Sequence, residues 1–214
     1  MKNIEIIKQS HEIISLPDDL LKTIEKAGRT CYKSEDKITE DSANRFVEML
    51  IKRGHEAMIE FGDIIVKFIT DRGVTHELVR HRMCSFAQES TRYCNYANKP
   101  IKFITPCYWP IDGFEWGAWM EALQKSAQVY KRLITKYHCT PQEARAVLPN
   151  SLKTEINVKA NIREWRHIFS LRCAKAAHPQ IRALMLPLLK ELQKKLPVVF
   201  DDFNYEELRK GIML

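Results

Sequence analysis

The sequence predicts an α+β fold, a single domain over residues 1–214 with one antiparallel or mixed β-sheet covered by helices. Three observations predict it. The chain has 214 residues, 45% of them hydrophobic and 29% charged, which suits one substantial core and is ordinary for a globular protein. Apolar strand patterns and helical patterns mix along it without the strict βαβ order of a parallel sheet. Neither GxGxxG nor GxxxxGKS/T occurs, which removes the Rossmann turn and the P-loop as phosphate sites.

Taken in order, KNIEIIK (residues 2–8) reads as a strand, and Pro17 opens a helix over residues 17–29 with Asp18 and Asp19 in its first turn. Thr39 caps a second helix, whose Ala43, Phe46, Val47 and Leu50 fall at helical spacing and which Gly54 ends. Gly54, His55 and Glu56 then lie in a loop. DIIVKFIT (residues 63–70) reads as a strand, and Asp71 caps a helix that runs into Arg80. Residues 101–105 are a further strand and residues 112–137 a long helix. Residues 140–149 hold a short helix, with Thr140 at the cap, Pro141 next, Glu143 in the capping-box position and Pro149 past its end. SLKTEINVKAN (residues 151–161) alternates as a strand, residues 161–173 form a helix, and residues 178–196 a final helix interrupted by Pro187. No repeat, linker or low-complexity tract appears.

Lys plus Arg number 34 against 27 Asp plus Glu, a formal charge of +7 that favours anionic partners: nucleic acid, nucleotides or other polyanions. The six cysteines form no CxxC pair and no His/Cys cluster, so buried reduced thiols are expected and no metal site. Charges scattered through the first residues argue against a signal peptide or membrane span, and a cytoplasmic location is expected.

The charge concentrates in RHRMCSFAQESTRY (residues 80–93), where only Glu89 stands against Arg80, His81, Arg82 and Arg92. Arg80 and Arg82 sit roughly 200° apart on a helix, so this run marks a helix end giving way to an irregular loop that carries Ser85, Gln88, Ser90 and Arg92. A second basic group comprises Arg145, Asn161, Arg163, His167 and Arg172, with Arg163 and His167 sharing a helix face. Spacing alone leaves two readings open: an anion site, or a solvated helix end and surface arginines in weak ion pairs.

A resemblance narrows them. RHR followed by seven residues and Ser90, together with AGRTCY (residues 27–32), GHE, STRY, ARAVLP, Asn161 with Arg163, and SLRC, resembles the flavin-dependent thymidylate synthases in order and spacing over residues 27–181. The resemblance implies FAD bound between subunits of a homotetramer, with dUMP, 5,10-methylenetetrahydrofolate and NADPH as substrates. It implies that Arg80, His81, Arg82, Gln88, Asn161, Arg163 and His167 contact FAD, with His55 near flavin and folate. It implies Ser90 and Arg92 of a neighbouring chain holding the dUMP phosphate with Arg145, while Glu77, Arg80 and Gln88 are candidate dUMP contacts. Arg172 matches the arginine that polarises the uracil ring, a fixed charge rather than an acid. The chain departs from the family pattern at Glu77, where many members have Gln, at Gln88, where many have Glu, and at Ala57, which lacks a hydroxyl found in some relatives.

Ser90 has no base placed to activate it as a nucleophile, and Cys107 lacks a following His. A rival reading, a basic nucleic-acid-binding domain with Phe86, Tyr93 and Tyr96 as stacking platforms, meets basic residues dispersed among capped helices rather than gathered in a stripe. A purely structural oligomeric protein is the other rival, and it predicts no pocket.

Overall fold

A computed structural model describes residues 3–212. Along the chain run β1 (Ile4–Ile7), β2 (Ser10–Ser15), α1 (Leu20–Tyr32), α2 (Ser42–Lys52), β3 (Asp63–Asp71), α3 (Arg72–Leu78), β4 (Ser85–Gln88), β5 (Ile101–Ile104), α4 (Phe114–Thr135), α5 (Pro141–Ala144), β6 (Lys153–Asn161), α6 (Ile162–Arg172), α7 (Pro179–Lys195), α8 (Pro197–Phe200) and α9 (Tyr205–Leu208). Short 3-10 turns lie at Glu35–Lys37, Glu56–Phe61 and Arg145–Val147.

The main sheet has four strands in the order β2-β3-β6-β4, all neighbours antiparallel. Its spine is the nine-residue pairing of β3 with β6, from Asp63 opposite Asn161 to Asp71 opposite Lys153. Alternate residues fill one face: Ile64 pairs Ala160, Val66 pairs Val158 and Phe68 pairs Ile156, all buried. Period two thus puts every β-branched or aromatic residue of the spine's buried side into the core.

Helices α1, α2, α6 and α7 belong to the same core. Trp165 is fully buried, tilts against Phe68 and Phe169, and donates its indole N–H to the Ile64 carbonyl at 3.2 Å. Leu184, Met185, Leu188, Leu189 and Leu192 of α7 are also buried, each side chain contributing about 1.5–3 kcal/mol. A second apolar cluster joins the parallel pair β1-β5 to α4 through Ile4, Ile101, Phe103, Leu123, Ala127 and Tyr130.

Several expectations are corrected. The first strand is shorter than residues 2–8, and Lys2 lies outside the described residues. Pro17 does not start α1; its carbonyl accepts from Leu20 N–H in the preceding turn, and the helix runs on to Tyr32, where Lys33 adopts the left-handed conformation with φ 48°. Thr39 does not cap α2 either. Its N–H donates to Ser42 Oγ, and that hydroxyl donates to the buried Glu25, tying the start of α2 to α1. The segment after Arg82 is not wholly irregular: Ser85–Gln88 pairs with β6 as an edge strand. The edge strand β2 was hidden because His11 and Glu12 interrupt its apolar alternation. Pro187 does not interrupt α7, whose helix is held by burial on both sides of it, and two short helices follow.

Candidate active site

Strands β3 and β6 each pass directly into a helix through an Asx cap. Asp71 Oδ1 accepts from Val74 N–H at 2.7 Å, and Asn161 Oδ1 from Glu164 N–H at 2.9 Å. Because the strands are antiparallel, α3 and α6 leave opposite ends of the sheet, and their C-terminal ends meet. Arg172, the last residue of α6, donates NH1 to Glu77 Oε2, NH2 to the Glu77 carbonyl and Nε to His81 Nε2, each at 3.0 Å. The same carbonyl, at the end of α3, also accepts from Arg80 N–H at 3.3 Å.

On the other side of the His81 ring, Nδ1 lies 3.1 Å from Glu164 Oε1, and His167 stands edge-on with ring centroids 5.6 Å apart. Arginine has no acceptor, so His81 Nε2 must be the unprotonated nitrogen and Nδ1 the donor to Glu164. Burial and the Arg172 charge agree, since they push the His81 pKa below its ordinary value against the opposing pull of Glu164. His81 is a buried neutral imidazole.

Beside this group opens a cleft of about 470 Å³ lined by Asn161, Arg163, Glu164, His167, Glu56 and Glu60, among others. Arg163 is half exposed and pairs with Glu56 at 3.3 Å and Glu60 at 2.7 Å. Those acids follow His55, which heads their turn after Gly54 bends the chain with φ +69°. Arg80 and Arg82 are exposed, and neither has an ion-pair partner among the described residues.

The remaining candidates lie past the other end of β4. The Gln88 amide turns inward and donates to the Thr75 and Thr154 hydroxyls at 2.9 and 3.3 Å. Ser90 Oγ accepts from Arg92 N–H at 3.3 Å, and Arg145 NH1 donates to Thr91 at 3.2 Å, so Ser90, Arg92 and Arg145 form one cluster. Glu89 faces away, accepting from Tyr96 OH at 2.9 Å and Lys153 Nζ at 3.0 Å. The only acid in the basic run is therefore spent on Lys153 and Tyr96. Four residues of β4, roughly 13 Å of extended chain, and a turn on each side separate this cluster from His81 and Arg172. Burial pushes the Cys107 thiol up, and it lifts those of Cys84 and Cys173 to about 12, so these sulfurs stay protonated. No group of three or more potential metal-ligating side chains occurs among the described residues.

The family described as thymidylate synthase complementing protein matches residues 12–198. The chain belongs to the flavin-dependent thymidylate synthase family. Members of that name from Corynebacterium efficiens and Mycobacterium tuberculosis are each 32% identical to it, over 89% and 88% of this chain and 82% and 81% of theirs. Its fold is similar to a UMP/dUMP methylase, PolB from Streptomyces cacaoi: the form bound with 5-Br UMP superposes with TM-score 0.77 at 19% identity over 94% of this chain and 96% of that one. The form bound with 5-Br dUMP gives 0.73 at 23% over 98% of each chain. Within this flavin-dependent thymidylate synthase fold, sequence reasoning overlooked two residues, Glu164 and Thr91. Glu164 carried a signal, standing three residues before His167 on the same helix face. Thr91 carried none, since its partner Arg145 is 54 residues away in sequence.

Proposed function

We propose that the chain reductively methylates dUMP to dTMP, taking the one-carbon unit from 5,10-methylenetetrahydrofolate and reducing equivalents from NADPH through FAD, as a cytoplasmic homotetramer whose residues 1–214 form a single catalytic unit. The observation that carries this reading is the setting of Arg172. A guanidinium has five N–H donors; three are engaged by His81 and Glu77, which leaves one on each terminal nitrogen. That pair is a fixed fork for adjacent acceptors such as a pyrimidine carbonyl and its N3. It lowers the energy of the anion that forms when the ring is activated, without giving up a proton.

The residues present fit FAD. The cleft on the far side of His81 from Arg172 carries Asn161, Arg163 and His167, and Arg80 and Arg82, which flank His81 in the chain, are exposed and bring charge that a pyrophosphate would neutralise. FAD held there would supply redox chemistry, passing on the two electrons and hydride taken from NADPH, so that the one-carbon donor would leave as tetrahydrofolate. His81 stays neutral and acts as an acceptor for Arg172 rather than a proton donor. Ser90, Arg92 and Arg145 offer a hydroxyl and two guanidinium groups to the nucleotide phosphate, and Thr91 holds Arg145 toward them.

Purified protein mixed with FAD, dUMP and methylenetetrahydrofolate is expected to oxidise NADPH only when dUMP is present and to form dTMP. Arg172→Ala is expected to keep bound flavin and lose methylation. A colourless protein that cannot be loaded with FAD, or dTMP formation undiminished in Arg172→Ala, contradicts the reading.

A further inference from the structure

We propose that Glu164 is a positioning residue: it accepts the Nδ1 proton of His81 and so holds the ring tautomer whose Nε2 accepts from Arg172 Nε and aims the guanidinium. The inference rests on the proposed role of Arg172 for its kinetic consequence, but not for the tautomer itself.

The geometry is a line of four side chains from two helices and the turn between α3 and β4. Glu164 Oε1 meets His81 Nδ1 at 3.1 Å, His81 Nε2 meets Arg172 Nε at 3.0 Å, and Arg172 NH1 meets Glu77 Oε2 at 3.0 Å. Every distance is that of a hydrogen bond, and only one protonation pattern satisfies them all. If the ring carried its proton on Nε2, two donors would face each other at Arg172 and the Nδ1 lone pair would face a carboxylate. A doubly protonated ring would again set N–H against N–H. Glu164 is the group that makes the Nδ1–H form the favourable one, because it is nine-tenths buried and faces the ring from the first turn of α6. The other charged or titratable groups facing His81 are Arg172 and His167 on α6, and both act against protonation. The Cys84 thiol feels Glu164 as well and stays protonated.

Glu164 and Arg172 lie eight residues apart at opposite ends of α6, so neither touches the other except through His81. The relay therefore couples the two ends of one helix. It also explains why Arg172 is held at its Nε and not only at its terminal nitrogens. Fixing Nε sets the plane of the guanidinium, and the plane decides where its two free N–H groups point.

The test uses full-length protein carrying ¹⁵N-histidine together with Glu164→Ala and Glu164→Gln. In the unaltered chain, the histidine ring correlation spectrum is expected to show His81 neutral with the proton on Nδ1 at pH 7. Glu164→Ala is expected to bring in the Nε2–H form and to lower kcat about 10- to 100-fold, the scale of one charge-assisted hydrogen bond, with KM for dUMP changed less than about threefold. Glu164→Gln is expected to keep the Nδ1–H form and most of kcat, because the amide can turn its oxygen to the ring and still accept the Nδ1 proton. A Nε2 proton or a doubly protonated ring in the unaltered chain overturns the proposal, and so does unchanged kcat in Glu164→Ala. If Glu164→Ala does not fold, loss of the Nδ1–H form in Glu164→Gln overturns it instead. Should the unaltered chain not methylate dUMP, the functional reading fails, and the ring spectra, recorded without substrate, decide the positioning role separately.

Discussion

Arg172 faces an acid, Glu77, at the 3.0 Å range of an ion pair. Glu77 occupies one side of the guanidinium with both its carboxylate and its backbone carbonyl. The carboxylate is partly solvated, with 30% of its side chain exposed, and it cancels part of the charge available to a bound nucleotide. Glu77→Gln retains an oxygen for Arg172 NH1 while removing that negative charge. For a partly screened pair the gain is about 1 kcal/mol or less, so KM for dUMP is expected to fall about two- to fivefold with kcat nearly constant. Steady-state kinetics at low ionic strength check it, and a rise in KM contradicts it. The departure at Glu77 was legible in the sequence. What it touches was not, because Arg172 lies 95 residues away and no local pattern links them.

Two elements, β3 with α3 and β6 with α6, repeat one device: a buried strand ending in an Asx cap that turns the chain into a helix. The first was legible because a β-branched run, a capping Asp and helical spacing occur together within a dozen residues, and the second as an alternating strand followed by a helix, though not with Asn161 as the cap that joins them. The edge strands β2 and β4 were not, since short strands with one solvated face carry little periodicity and owe their pairing to β3 and β6. Helix packing follows the same logic at α1 and α2. Gly28 lets the two helices approach so closely that a Cβ there would stand 2.6 Å from Phe46 Cε1. Gly28→Ala should gain about 1 kcal/mol in helix propensity and lose about 1–3 kcal/mol in overpacking, and so is expected to destabilise the protein. Chemical denaturation with an unchanged m-value and a lower midpoint checks that outcome.

Across the whole molecule, Arg172, Glu77 and His81 gather at one end of β4, and Ser90, Arg92 and Arg145 at the other. Under the proposed function these two clusters are half-sites, each completed by another copy of the chain. Mixed oligomers of Arg92→Ala and Arg172→Ala chains are expected to recover some dTMP formation that neither variant shows alone. Mixing after partial denaturation and measuring turnover checks this, and no recovery counts against shared sites. Residue types and order made the family legible from sequence, whereas the division of the basic residues into two clusters was not, because it depends on an edge strand that sequence reading took for a loop.

That edge strand acts as a gauge. Phe86 packs against the core and Gln88 reaches Thr75 and Thr154, while Ser85 and Ala87 face outward. A slip of one residue against β6 would swap these faces and shift His81 and Arg82 at one end of the strand, and Ser90 and Arg92 at the other, relative to Arg172 and Arg145, which other elements carry. Insertions or deletions inside Ser85–Gln88 would therefore throw the two half-sites out of step with each other even where every contacting side chain survived.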